Sequence, residues 1–291
     1  MVTVECITDL LTPEGDSRIR ELVLEEKPVG VVLNDEPVGT AMVMARDLEE
    51  LAVGYLFGQG LIEPGDKIFD IEVCEQGRIN VYAEVTPRPD DEMITTSGCG
   101  GTGKIARRLL HEDYPEPADF CISFHEVAEL IKRTLAWSSL SQDTHCVHGC
   151  GYYSEGAFQV CYEDVGRHNA VDKLMGAILL GRFSPGGAAY TTGRLTSDMV
   201  LKCARMGIPV VLSRTAPSSL GLDIARRSGL TLGCYVRPGR VNVFNAPHRI
   251  VREGLSDKSD VSDRSDKSDV SDRSDKSDVS DRSNRSDRSD R

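Results

Sequence analysis

The stretch AAYTTGRLTSDMVLKCARMGIPVVLSRTAPSSLGLDIARRSGLTLGCYV, residues 188–236, decides the fold class. Ala188–Thr191 reads as a strand, and from Thr196 to Met206 the apolar residues recur at helical spacing. Ile208–Ser213 is the short, continuous apolar run of a buried strand. Pro217–Arg227 reads as a helix with proline near its start, and Leu230–Val236 as a strand again. Upstream, Phe158–Cys161 and Asn169–Leu180 extend the same alternation. Strands alternating with helices argue for a layered α/β domain.

Working outward, the first third is β-rich. Val31–Leu33 and Val38–Met44 flank Asn34-Asp35-Glu36-Pro37, a hairpin connection, and Ile68–Cys74 and Ile79–Val85 pair around Gln76-Gly77. Leu48 to Phe57 has the helical pattern between them. In the middle, a helix is expected to start near Lys104. Another is expected from Ser123, where Ser123 and Glu126 can form a capping box, to about Trp137. The expected organisation is a β-rich part over residues 1–90, an α/β part over 91–255, and a tail over 256–291. The tail repeats SDKSDVSDR three times and closes on SNRSDRSDR. With almost no apolar residue it cannot offset its ordering entropy, so it is expected to be disordered.

The chain carries a formal charge of −12, of which −2 belongs to the tail, leaving −10 for residues 1–255. Such a body is a poor partner for nucleic acid or anionic membranes. No apolar run is long enough to span a bilayer, and residues 1–16 lack the pattern of a signal peptide. A cytoplasmic protein is expected, and its nine cysteines are then thiols. Cys6, Cys74, Cys121, Cys161, Cys203 and Cys234 lie in apolar periodic segments and read as core filler.

Four segments could carry chemistry. In Thr95–Lys104, four glycines surround Cys99, giving an open backbone that lets another molecule approach the sulfur. A helix starting near Lys104, together with its ammonium, would favour the thiolate. The plainer reading is a glycine turn with an incidental cysteine. Gly98–Lys104 also fits the opening of a phosphate-binding P-loop. Ile105 then stands where Ser or Thr must bind magnesium, and residues 90–94 make a poor buried strand, so that reading fails. His145, Cys146, His148 and Cys150 crowd four potential ligands into six residues. Zinc sites instead join two local ligands to two distant ones, so no metal is expected. Glu163–Lys173 is dense in polar groups between a strand and a helix, where α/β sheets bind ligands, and it is expected to contribute to a site. Tyr235–Arg240 turns at Pro238-Gly239 between two arginines, which suit phosphate oxygens but are usually solvated.

Taken together, EELAVGYLFGQGLI (49–62), TTSGCGG (95–101), THCVHGC (144–150), EDVGRHNAVDK (163–173), residues 191–232 and YVRPGRVNVFNAPHRI (235–250) resemble the FdhD/NarQ family, over about residues 20–250. The resemblance implies a cytidine-deaminase-like α/β domain with a smaller β-rich part, usually as a homodimer. It implies a sulfurtransferase that takes sulfur from a cysteine desulfurase as a persulfide. That sulfur passes to Mo-bis(molybdopterin guanine dinucleotide), whose molybdenum needs a sulfido ligand in formate dehydrogenase. The family's persulfide cysteine falls on Cys99. Its cofactor-binding hexapeptide falls on Tyr235, Val236, Arg237, Pro238, Gly239 and Arg240, with the 163–173 turn and His148 as subsidiary contacts. Many members carry C-x-x-C in the loop, whereas here the second position is Thr102, which favours carriage on one cysteine. The chain lacks H-x-E and P-C-x-x-C, so deaminase chemistry is not expected. The rival reading is a chaperone that holds the cofactor without moving sulfur.

Overall fold

The computed structural model describes residues 2–85, 92–95 and 104–252. Cys99 with its glycine loop, Thr102 and the 256–291 tail lie outside them. The described residues belong to one unit, Met1–Gly254.

The chain opens with an antiparallel hairpin, β1 (Thr3–Thr12) and β2 (Gly15–Leu24), which sequence reading did not single out. Next, β3 (Lys27–Leu33) and β4 (Glu36–Val43) are joined by Asn34 and Asp35, both at positive φ. That is the two-residue turn whose twist matches paired strands. Helix α1 (Leu48–Gln59) crosses over to β5 (Lys67–Cys74) and β6 (Arg78–Glu84), and β3 and β6 pair in parallel. The resulting sheet has the order β4-β3-β6-β5.

β7 (Met93–Thr95) and β8 (Lys104–Ala106) form a short antiparallel ribbon. The helix expected near Lys104 is therefore absent: pairing with Met93–Thr95 holds this segment extended, and only one 3-10 turn, Arg107–Leu110, follows. After β9 (Ile122–Ser123), α2 (Phe124–Leu135) starts with the expected capping box, Ser123 and Glu126 each satisfying the other's backbone N–H. α3 (Leu140–Thr144) leads into the central sheet.

That sheet contains β10 (His148–Ser154), β11 (Ala157–Asp164), β12 (Ala188–Thr191), β13 (Val210–Ser213), β14 (Thr231–Arg237) and β15 (Arg240–Asn245), in the order β11-β10-β12-β13-β14-β15. Strands β12, β13 and β14 run parallel, while β10, β11 and β15 alternate in direction beside them. Helices α4 (Arg167–Leu179), α5 (Ser197–Arg205) and α6 (Ser219–Ser228) connect the strands, and β16 (Ile250–Val251) pairs with β9. Strand alternation divides the core. Ala189, Val211 and Leu232 pack with α1, α4, α5 and α6 on one face, and Ala188, Tyr190, Val210 and Leu212 with α2 on the other. The fold is thus the expected layered α/β arrangement, with six α-helices among the described residues.

Helices α1 and α4 touch at backbone level. A Cβ on Gly54 would lie 1.8 Å from the Asp172 carbonyl oxygen, and one on Gly176 would lie 1.9 Å from that of Glu50. Only glycine permits this approach.

Candidate functional site

The C-terminal ends of β12, β13 and β14 lie side by side, and each is followed within three residues or closed by an arginine: Arg194, Arg214 and Arg237. The Arg237 guanidinium donates to the Arg214 carbonyl oxygen at 2.9 Å, tying the second and third of these ends together. Arg240 opens β15 and donates through Nε to the Asn242 side-chain oxygen at 3.3 Å. All four arginines are exposed, and among the described residues none is paired with a carboxylate. In a body of charge −10, four such cations at one sheet end favour anionic ligands. Arg194 and Arg214 received no role from the sequence, although each sits where its neighbour does, just past a parallel strand.

The hexapeptide divides its labour. Val236 is 1% exposed and belongs to the core, whereas Tyr235, Arg237, Pro238, Gly239 and Arg240 face solvent. Tyr235 has φ 52° at an irregularity in the β14–β15 register, and its N–H donates to the Thr215 carbonyl oxygen at 3.0 Å. Gly239, at φ 72°, makes the tight turn that brings Arg237 opposite Arg240.

Two histidines meet the same end, His148 from the start of β10 and His168 from the first turn of α4. His148, at the start of β10, lies 3.1 Å through Nδ1 from the Thr192 hydroxyl. Burial first, then the positive charges of Arg167 and His168, push its pKa down. His168 Nε2 is 2.7 Å from an Asp198 carboxylate oxygen, and the Thr196 hydroxyl donates to the same carboxylate at 2.5 Å. Burial raises the Asp198 pKa, but His168 and Thr196 outweigh it and hold the carboxyl below the ordinary aspartate range. The Arg167 side chain lies across Gly193, where a Cβ would come within 2.7 Å of it.

The polar run 163–173 is only partly a surface. Lys173 and Asp164 are wholly buried and paired at 2.7 Å; Lys173 also donates to the carbonyl oxygens of Glu163 and Met44. Asp164 further accepts from the N–H groups of Met44 and Gly166 and the Asn169 amide. Asp172 pairs with Lys202 at 2.5 Å, also buried; burial raises the Asp172 pKa and Lys202 opposes it. These residues clamp α4 to the loop after β4 and to α5, and of the run's basic side chains only Arg167 and His168 lie toward Gly193 and Asp198 at the arginine end of the sheet. Density of charge reads as surface in sequence, but here the charges satisfy one another inside.

The 145–150 cluster also disperses. Cys146 is exposed and His145 holds a left-handed backbone, while Cys150 is buried among core residues with its pKa raised well above the usual thiol range by burial. Among the described residues no three His, Cys, Asp or Glu side chains converge as metal ligands. Of the cysteines read as core filler, Cys161, Cys203 and Cys234 are buried; Cys6 and Cys121 are exposed and Cys74 half-buried. That part of the expectation is corrected: Cys6 sits on the outlying hairpin, and Cys121 lies just outside β9.

Cys99 lies outside the described residues, between β7 and β8. Ile105 and Ala106 are buried beside α1, and Arg108 donates to the Gly60 carbonyl oxygen at 2.8 Å. Without a helix at Lys104, the dipole argument for a Cys99 thiolate loses its support. The base of this ribbon stands by the C-terminus of α1, beside Arg205 in the last turn of α5. Since α5 runs from the end of β12 back toward the start of β13, Arg205 lies at the opposite end of the central sheet from Arg237.

Exposed Arg194, Arg214 and Arg237 stand at the C-terminal ends of the parallel strands, with the half-buried His148 and His168 beside them, and this is the edge at which layered α/β sheets bind ligands. The FdhD/NarQ family model matches residues 24–251, and the chain belongs to that family. It is 30% identical over 261 residues to the sulfur carrier protein FdhD of Wolinella succinogenes, covering 85% of this chain and 90% of that one. With the sulfur carrier protein FdhD of Chromobacterium violaceum it shares 34% over 244 residues, 77% and 88% of the two chains. A crystal structure described as a formate dehydrogenase accessory protein from Desulfotalea psychrophila matches with TM-score 0.77 and 49% identity, covering 86% of this chain and all of that one. No helix among the described residues is long and apolar enough to cross a membrane.

Proposed function

We propose that this chain is a sulfur carrier that equips the molybdenum cofactor of formate dehydrogenase. The Cys99 thiolate attacks the outer sulfur of a cysteine desulfurase persulfide. The donor's S–S bond breaks, its cysteine leaves as a thiolate, and Cys99 holds the persulfide. The outer sulfur then passes to a reduced molybdenum, which supplies two electrons as the sulfur becomes a sulfido ligand and Cys99 returns to thiolate. The substrate is Mo-bis(molybdopterin guanine dinucleotide), its pyrophosphate held by Arg237 and Arg240, with Arg194 and Arg214 beside them. His148 and His168 border this anion-binding end of the site.

The observation carrying this reading is the group of four exposed arginines, unmatched by carboxylates, at the sheet end that includes the family's hexapeptide. Pyrophosphate is the ligand chemistry that guanidinium forks fit. The test is mass spectrometry of the protein after incubation with a cysteine desulfurase and cysteine. A gain of one sulfur atom, about 32 Da, on Cys99 and its loss in Cys99→Ala are expected. An unmodified Cys99, with formate dehydrogenase still activated by Cys99→Ala, would leave the chain a cofactor-holding chaperone.

A further inference from the structure

Charge is divided unevenly along the body. Residues 27–85, which form β3 to β6 with α1, hold 11 Asp and Glu against 4 Lys and Arg, a net of −7. Residues 86–255, which form the central sheet and its helices, hold 17 against 19, a net of +2.

Within the acidic part a cleft of about 440 Å³ opens between β5, the first turn of α1 and the end of α4. Ile71, Leu179 and Leu180 line it together with the carboxylates of Glu49, Asp66 and Asp70. Phe69 also borders it and is 57% exposed. The pairing of edge strand β5 with β6 steps from Ile68 to Asp70 and leaves Phe69 as an extra residue, a bulge of the kind that re-aims a side chain. This ring already draws a cation, since the Lys67 ammonium lies 5.2 Å from its centroid. At the rim Arg182 pairs with Glu49 at 2.9 Å, and Asp70 accepts the Ile71 N–H at 2.9 Å. The cleft adjoins the ribbon that leads to Cys99: Asp66 accepts the Glu63 N–H at 2.9 Å, and Glu63 pairs at 3.9 Å with Arg108, just past β8.

An aliphatic lining, an open aromatic ring and carboxylates match a lysine or arginine side chain, whose stem is apolar and whose head is cationic. Among the described residues no three carboxylates converge on a metal position, so an extended organic cation is the class that fits. We propose that this cleft seats a basic side chain of the protein that loads Cys99, and that the acidic sheet around it steers that protein to the ribbon. The partner's role rests on the sulfur-carrier reading; the chemistry of the cleft does not. The uneven charge then sorts two partners, a basic protein beside Cys99 and an anionic cofactor at the arginines.

Fluorescence anisotropy of a labelled Gly-Arg-Gly-Arg-Gly peptide, titrated with the full chain, tests the cleft. Binding should weaken as salt rises, and should weaken at least about tenfold in Phe69→Ala/Asp70→Asn, two exposed positions. Glu5→Gln/Asp9→Asn, on the outlying hairpin, should bind as wild type does, and the citrulline form of the peptide should not bind. Sedimentation velocity with a cysteine desulfurase tests the partner. Cys99→Ala should bind it as wild type does, and Phe69→Ala/Asp70→Asn at least about tenfold more weakly. No peptide binding by wild type, equal binding of the citrulline peptide, or equal loss in the hairpin variant would overturn the cleft. A desulfurase bound equally by wild type and the cleft variant would overturn the partner while leaving the relay through Cys99 standing. Wild type that binds the peptide but no desulfurase would instead overturn the relay's donor, and the partner assigned with it.

Discussion

Arginines close both ends of the central sheet, in opposite ways. At the end where α5 finishes, Arg205 is buried, donates to the Phe57 carbonyl oxygen, pairs with Glu63 at 2.5 Å and Glu112 at 3.0 Å, and lies over the Phe57 ring at 4.3 Å. At the other, Arg194, Arg214, Arg237 and Arg240 are exposed, and their hydrogen bonds run to backbone carbonyls or to Asn242. A guanidinium surrounded by carboxylates is spent on holding the fold. One supported by neutral groups keeps its charge for something that arrives. The same residue type therefore separates a structural end from a ligand end, and the separation makes substitutions at the two ends differ in kind.

The largest effect is expected at the structural end. Arg205→Ala leaves Glu63 and Glu112 facing a site built for a cation, and should cost about 3–5 kcal/mol in urea unfolding. A cost below about 1 kcal/mol would mean that this end is not clamped as described.

The second effect concerns pH. The Asp198 carboxyl is depressed in the folded state, so its contribution is complete above the ordinary aspartate pKa of about 4 and is lost as pH falls from there toward the folded value. Asp198→Asn should therefore reduce stability at neutral pH by about 1.5–3 kcal/mol, the range for a hydrogen bond to a charged group. It should also flatten the acid limb of stability against pH. An unchanged acid limb would contradict the role given to the His168–Asp198 pair.

The smallest stability effect is expected at the ligand end. Arg240→Ala should stay within about 0.5 kcal/mol of wild type by thermal unfolding, as for other surface changes. A loss comparable to that of Arg205→Ala would erase the distinction.

How much of this was legible beforehand depended on whether neighbours in sequence or neighbours in space decide the outcome. The alternation over 188–236 could be read because each element there is long enough to show its own period. The capping box at Ser123 and the Asn34-Asp35 turn are equally local. The strand at Lys104–Ala106 was not legible, since its partner Met93–Thr95 lies nine or more residues away in the chain. Nor were the buried pairs of Asp164 with Lys173 and Asp172 with Lys202, where polarity pointed to the surface and only the packing of α4 explains it. In the candidate site, Arg237 and Arg240 stood out because Pro238-Gly239 marks a turn. Arg194 and Arg214 became intelligible only once the strand order placed β12, β13 and β14 side by side.

The central claim is that the carboxylate-free arginines hold a pyrophosphate. Calorimetric titration of inorganic pyrophosphate into wild type and an Arg237→Ala/Arg240→Ala double variant tests it most directly. The account expects binding to wild type and at least about tenfold weaker binding to the double variant, from the loss of two charge-assisted contacts, with the melting temperature unchanged. Equal binding by both proteins, or none by wild type, would contradict it.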